Sequence, residues 1–121
     1  MRKAEQTGAS YGECPVRNVI SRFGDKWSIL VLLTIKEGET VRFNELCRRI
    51  PDVSSRVLSS TLKTLEQDGL ISRKSYPVVP PKVEYSLTPM GHTLMPIISE
   101  LTEWALSNMA AIRRHRSVSA S

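Results

Sequence analysis

Arg56, Ser59, Ser60 and Lys63 fall three and four residues apart, and the leucines interleaved with them, Leu58, Leu62 and Leu65, repeat at the same spacing. At about 100° of rotation per helical residue the two sets separate, the leucines within a narrow arc and Arg56, Ser60, Lys63 and Gln67 on the opposite side, with Ser59 on the flank. A guanidinium, an ammonium, an amide and short hydroxyls on one stripe can donate hydrogen bonds to an acceptor-rich surface. Base edges and phosphate oxygens form such a surface, and serines allow a helix to approach it closely. Any surface helix also turns polar residues outward, so the stripe by itself leaves plain solvation open.

Cys14 is the second residue with chemistry to offer. It directly precedes Pro15, which suits the first turn of a helix. A helix N-terminus, with Arg17 one turn further on, favours the thiolate. Two roles stay open: a reactive redox-sensing thiol, or a partly buried small residue. The other cysteine, Cys47, falls on an apolar helix face and reads as core. With no CxxC pair, neither a zinc site nor a disulfide framework is expected, and a thiol-based redox enzyme using Cys14 lacks a resolving partner. His92 and His115 stand alone and no glycine-rich phosphate loop is present. No catalytic residue, metal or cofactor is therefore expected.

The elements that must carry these residues can be read in order. The chain has 121 residues, 40% hydrophobic, enough for one modest core and one domain. Its longest apolar run, Ile29 to Leu33, is far short of a membrane span, and the N-terminus lacks the apolar core of a signal peptide, so a cytoplasmic location is expected. Residues 1–13 read as a flexible polar arm. A first helix follows Pro15 with Val16, Val19, Ile20 and Phe23 at helical spacing; Gly24-Asp25 ends it and caps a second, about Lys26 to Lys36, apolar around nearly its whole circumference. Val41 suggests a short strand, and Phe43, Leu46, Cys47 and Ile50 mark a third helix starting near Arg42 or Phe43.

After the turn at Pro51-Asp52-Val53, Ser54 or Ser55 caps a fourth helix that runs to Asp68, with Gly69 as a left-handed stop. Leu70 to Ser75 and Val83 to Leu87 alternate like paired strands around the proline-rich loop Tyr76 to Pro81. Arg73, Lys74 and Lys82 at its base suit phosphate or minor-groove contact, or equally serve to blunt an exposed strand edge. Leu94, Ile97, Ile98, Leu101, Trp104, Ala105, Met109 and Ile112 form one broad stripe on a last helix, more apolar surface than so small a domain needs to cover. The stripe fits a subunit interface, although part of it must return to its own core. Residues 113–121 read as a flexible basic tail. The net charge is +5; between Arg42 and Lys82, eight Lys/Arg (Arg42, Arg48, Arg49, Arg56, Lys63, Arg73, Lys74, Lys82) face only Glu45, Asp52, Glu66 and Asp68, so this third of the chain holds most of the excess.

Four segments in this order carry a family resemblance: Gly24-Asp25-Lys26-Trp27; Arg42-Phe43-Asn44-Glu45-Leu46; the run from Leu62 to Ile71; and the run from Val83 to Gly91. Together they resemble the HxlR family of bacterial winged-helix regulators, relatives of the MarR type, over roughly Cys14 to Trp104. The resemblance implies a mainly α fold with a small β-wing: a winged helix-turn-helix over residues 14–112 with additional N- and C-terminal dimerisation helices. It also implies a homodimeric transcription factor, read by analogy as a repressor, on a pseudo-palindromic operator in double-stranded DNA. The helix from Ser54 to Asp68 becomes the recognition helix and the loop from Tyr76 to Pro81 the wing.

The candidate DNA contacts are then Arg42, Ser54, Ser55, Arg56, Ser59, Ser60, Lys63, Lys74, Tyr76 and Lys82; the candidate dimerisation residues are Leu94, Ile97, Ile98, Leu101, Trp104 and Ala105. Several family members carry a cysteine where Cys14 stands, and some sense oxidants or electrophiles through it, which leaves an oxidant or small-molecule effector open. A winged helix used for protein–protein assembly would require an apolar patch where this chain places Arg56, Ser59, Ser60 and Lys63. Duplex RNA is disfavoured because its deep, narrow major groove excludes a helix.

Overall fold

A computed structural model of the chain describes residues 24–120, the side chain of Ala120 excepted. The expected arm over 1–13, the helix after Pro15 and Cys14 itself lie outside the described residues. The described elements run α1 (Ser28–Gly38), β1 (Val41–Arg42), α2 (Phe43–Arg49), α3 (Ser55–Gln67), β2 (Ile71–Tyr76), β3 (Lys82–Leu87) and α4 (Pro89–Ala120). The three strands form one antiparallel sheet in the order β1-β3-β2.

Asp25 caps the start of α1. Its Oδ1 accepts the amides of Trp27 and Ser28 at 2.7 and 2.8 Å, and its Oδ2 accepts the Ser28 hydroxyl at 2.5 Å. Partial burial pushes this carboxyl up, but the hydrogen bonds from the Ser28 side chain and from the two amides outweigh it and hold Asp25 below the ordinary carboxylate range. Along α1, Val31, Leu32 and Ile35 are fully buried, and the helix packs against β3, α2 and α3. The apolar circumference is not covered throughout: Leu30 remains substantially exposed, because α1 meets its neighbours on one side only among the described elements. The left-handed residue after the helix is Glu39 (φ 65°), while Gly38 stands where a Cβ would come within 2.7 Å of Val41 Cγ2.

The helix-turn-helix follows. Leu46 and Ile50 bury the inner face of α2, Phe43 and Cys47 lie half-buried beside it, and Val53 plugs the turn. Ser54 caps α3 by accepting the Val57 amide at 3.1 Å, and Gly69 ends it at φ +81°. Leu58, Leu62 and Leu65 are all but completely buried, each contributing on the order of 2 kcal/mol of apolar burial. These three anchors fix which side of α3 faces outward.

A tight junction joins α3 to α4. The Leu70 carbonyl accepts the Thr88 amide at 3.1 Å; the Thr88 hydroxyl donates to the Gly69 carbonyl at 2.6 Å and accepts the Gly91 amide at 3.0 Å. Thr88 thereby caps α4 and ties it to the end of α3. From there α4 buries Met95 and Ile98 in the core and continues as helix to Ala120. Residues 113–120 are thus helical where a flexible tail is expected from composition, since nothing after Pro96 in that stretch is a glycine or proline that would end the helix.

Gly91 sits where an added Cβ would lie 2.2 Å from the Leu70 carbonyl oxygen. Gly91→Ala is expected to lower stability by about 1–3 kcal/mol or more, as overpacking against rigid backbone does, read as a fall in the urea midpoint; an unchanged midpoint would show that the junction yields.

Candidate nucleic-acid interface

On α3, the side chains of Ser55, Arg56, Ser59, Ser60, Lys63 and Gln67 are all exposed; Arg56, Ser60, Lys63 and Gln67 lie opposite the three buried leucines, with Ser55 and Ser59 on the flanks. Ser54 is exposed as well, with its oxygen engaged as the helix cap. Val57, 40% exposed, adds an apolar flank to the polar stripe. Periodicity gives no reason to single it out, yet a methyl-bearing side chain beside donors suits the C5-methyl of thymine.

The sheet gathers the remaining candidates in a way the linear sequence does not display. Register pairs Arg42 and Lys74 each with Glu84, and Tyr76 with Lys82. Opposed residues share a face and positions two apart stay on it, so Arg42, Lys74, Tyr76 and Lys82 converge around one carboxylate. Tyr76 Oη donates to Glu84 Oε1 at 2.8 Å, and Lys82 Nζ lies 3.3 Å from Oε2. The Tyr76 hydrogen bond, foremost, and the Lys82 and Arg42 charges hold the Glu84 carboxyl below its ordinary range against a smaller desolvation effect. The ammoniums of Lys74 and Lys82 stand 5.2 and 4.8 Å from the centre of the Tyr76 ring. Tyr76 therefore ends β2 half-buried and positions two lysines. It does not project from the loop, as its place at the start of the wing suggests. Glu84 is absent from the residues that the sequence singles out; its only signal there is a lone acid in a strand opposite basic residues.

Arg73 turns to the other face. Together with Ser59, Lys63, Glu66 and Tyr85 it lines an open cleft of about 300 Å³, and its Nη1 donates to Ser75 Oγ at 3.1 Å. This guanidinium, absent from the ten candidate contacts, thus borders the polar stripe of α3. Arg49 is not a free cation, because it pairs with Glu37 and lies 3.5 Å from Glu45. A smaller cleft of about 200 Å³ joins Arg42, Phe43 and Asn44 to Pro81 and Val83 at the wing.

The candidate subunit face divides. Ile97, Leu101 and Trp104 are 65%, 53% and 58% exposed, Leu94 and Ala105 are half-buried, and Ile98 is buried in the core of its own protomer. Ile98 is one residue, about 100° of rotation, from Ile97, enough to move it from the free stripe to the packed one. Among the described residues, no group of three His, Cys, Asp or Glu is placed to hold a metal ion, and no helix is long and apolar enough to cross a membrane.

A short helix, a turn, an exposed helix of donors and a basic two-stranded projection beside it define a winged helix-turn-helix transcriptional regulator. The chain belongs to the HxlR-like helix-turn-helix family, whose sequence profile matches residues 22–113. It is 47% identical over 96 residues to the HTH-type transcriptional regulator BH0655 of Halalkalibacterium halodurans, covering 79% of this chain and 85% of that one. Among solved structures it is similar to the transcriptional regulator ytfH of Salmonella typhimurium, with TM-score 0.79 and 40% identity over 88% of this chain and 94% of that chain. It is also similar to the redox regulator HypR in its reduced form, with TM-score 0.77 and 40% identity over 83% and 98%.

Proposed function

We propose that this regulator binds duplex DNA as a homodimer on a pseudo-palindromic operator and represses by occupying it, with α3 laid in the major groove. The exposed stripe of Arg56, Ser59, Ser60 and Lys63 on a helix anchored by three buried leucines carries the proposal. Donors of this kind pair with guanine and phosphate acceptors, and the serines bring the helix axis close to the groove floor. Ser54 and Ser55 at the helix start lie where amides and hydroxyls meet a phosphate. Arg73 supplies a cation beside α3, and Arg42, Lys74 and Lys82 supply others from the opposite face of the sheet for the flanking backbone, with Tyr76 orienting the lysines.

The second copy is assigned to the α4 stripe. Ile97, Leu101 and Trp104 form an apolar surface that leaves one side of α4 unsatisfied, and a two-fold pairing through it presents two recognition helices to half-sites about 34 Å apart, one turn of duplex. Oxidant or electrophile sensing is assigned to Cys14. The likeness to HypR, a redox regulator by name, supports it, and Cys47 is half-buried on α2 among core residues.

Arg56→Ala and Lys63→Ala are expected to weaken binding to the selected operator by about 1–3 kcal/mol each where the side chain meets a base, with the fold intact. Fluorescence anisotropy checks this, and unchanged affinity in both removes the assignment of the α3 face. Leu101→Glu is expected to shift the protein from dimer to monomer in sedimentation equilibrium; a dimer that persists moves the interface elsewhere. After mild oxidant, the wild type should lose a titratable thiol that Cys14→Ser does not, and equal thiol counts before and after would end the sensing role.

A further inference from the structure

We propose that the cleft between the end of α1, the end of β3 and the start of α4 is an effector site for a small zwitterion with an apolar body, an α-amino acid of the leucine or phenylalanine kind. The cleft measures about 460 Å³ and is lined by Ile35, Lys36, Glu39, Ser86, Leu87 and His92, within the range of roughly 300–1,000 Å³ usual for small-molecule sites. It shares no residue with the candidate DNA contacts or with the apolar stripe of α4. Ile35 and Leu87 give it an apolar wall. Lys36, Glu39 and His92 are exposed around that wall, and among the described residues none of these three side chains has a hydrogen-bond or ion-pair partner. An ammonium and an imidazole N–H hold a carboxylate, whereas Glu39 repels a plain anion and calls for a cationic donor. A ligand that satisfies both must carry both charges. The Ser86 hydroxyl, 3.0 Å from that of Ser72, keeps capacity for one further hydrogen bond.

Glu39 is held in place at a conformational cost. Its φ of 65° and ψ of −56°, with the Thr40 amide bonded to the Gly38 carbonyl at 2.7 Å, make it the centre of a γ-turn of the rare, strained hand. Backbone strain of this kind clusters at ligand clamps, and here the strained residue is the acid of the cleft. The cleft also reaches the junction between α3 and α4. Leu87 Cδ2 would lie 3.3 Å from a Cβ on Gly91, and the next residue, Thr88, holds the Gly69 carbonyl at the end of α3. An occupant packed on Leu87 and gripped from α1 and α4 together bears on the angle at which α3 and α4 meet. It thereby shifts DNA affinity by as much as its own affinity differs between the two arrangements. The binding step stands on the cleft alone, while the effect on DNA rests on the proposed function.

Isothermal titration calorimetry of the full chain with L-leucine and L-phenylalanine should show saturable binding. 3-Phenylpropanoate, which lacks the ammonium, and 2-phenylethylamine, which lacks the carboxylate, should each bind about tenfold more weakly than phenylalanine, the loss of one charge-assisted contact. Lys36→Ala and Glu39→Gln should weaken phenylalanine binding by a similar factor with the urea midpoint unchanged, and Lys36→Arg should retain most of it. On the duplex that the wild type selects from a random library, saturating phenylalanine should shift affinity by about fivefold or more in wild type and leave Lys36→Ala unmoved. No saturable heat with either amino acid, or binding untouched by both substitutions, overturns the site. A phenylpropanoate that binds as tightly as phenylalanine overturns the zwitterion. Saturated protein with unchanged affinity for DNA overturns the effector role. A wild type that selects no DNA overturns the DNA-binding reading, and the calorimetry then decides the site by itself.

Discussion

Everything that gives this molecule its directional character passes through the junction between the end of α3 and the start of α4. Two hydrogen bonds tie Thr88 to Gly69 and Leu70, and a third joins the Gly91 amide to the same Thr88 hydroxyl, at a spot with no room for a single methyl group. The sheet leaves this junction at Ile71 and returns to it at Leu87, two residues that face each other in register. The junction thus holds the exposed helix, the hairpin and the long α4 in one arrangement. In the proposed dimer it sets the angle between the surface that reads DNA and the surface that pairs subunits, and packed cores pass such constraints on because they deform little.

Charge is distributed over this frame more selectively than the composition suggests. Arg49 is committed to Glu37 and Glu45, and Glu84 partly offsets the cations facing it on the sheet. Exposed ion pairs of this kind add little stability; their effect is to hold long side chains in place. Tyr76 does the same from below with its ring and hydroxyl. The wing becomes a stem of oriented cations carrying a neutral tip, and α3 presents a separate row of exposed side-chain donors. Such a division suits a reader that derives affinity from phosphates and specificity from base edges.

The helix α3 is legible in the sequence almost to the residue. Its start at Ser54 and its stop at Gly69 are local events, a side chain accepting an amide three residues on and a backbone angle that glycine tolerates. Its two faces follow from periodicity alone, because three leucines in one arc have a single way to be buried. The cap at Asp25 and the short strand at Val41 are visible for the same reason. The family resemblance holds over these segments, and the matched profile spans them.

What the linear order could not show are relations between distant positions. That Glu84 gathers Arg42, Lys74, Tyr76 and Lys82 depends on strand register, with Arg42 more than forty residues away. That Arg73 borders α3 while its neighbour Lys74 does not depends on which face of the hairpin meets the helix. Ile97 and Ile98 are equivalent in a hydrophobicity pattern, and only the packing of α4 decides which is buried; the same holds for Leu30 on α1. The sequence by itself thus determined the elements, their caps and their polar and apolar faces, because those follow from interactions within a few residues. The tertiary structure decided which charges remain free, which apolar stripe stays open and where the wing's cations stand, because those depend on packing between elements that no local periodicity encodes.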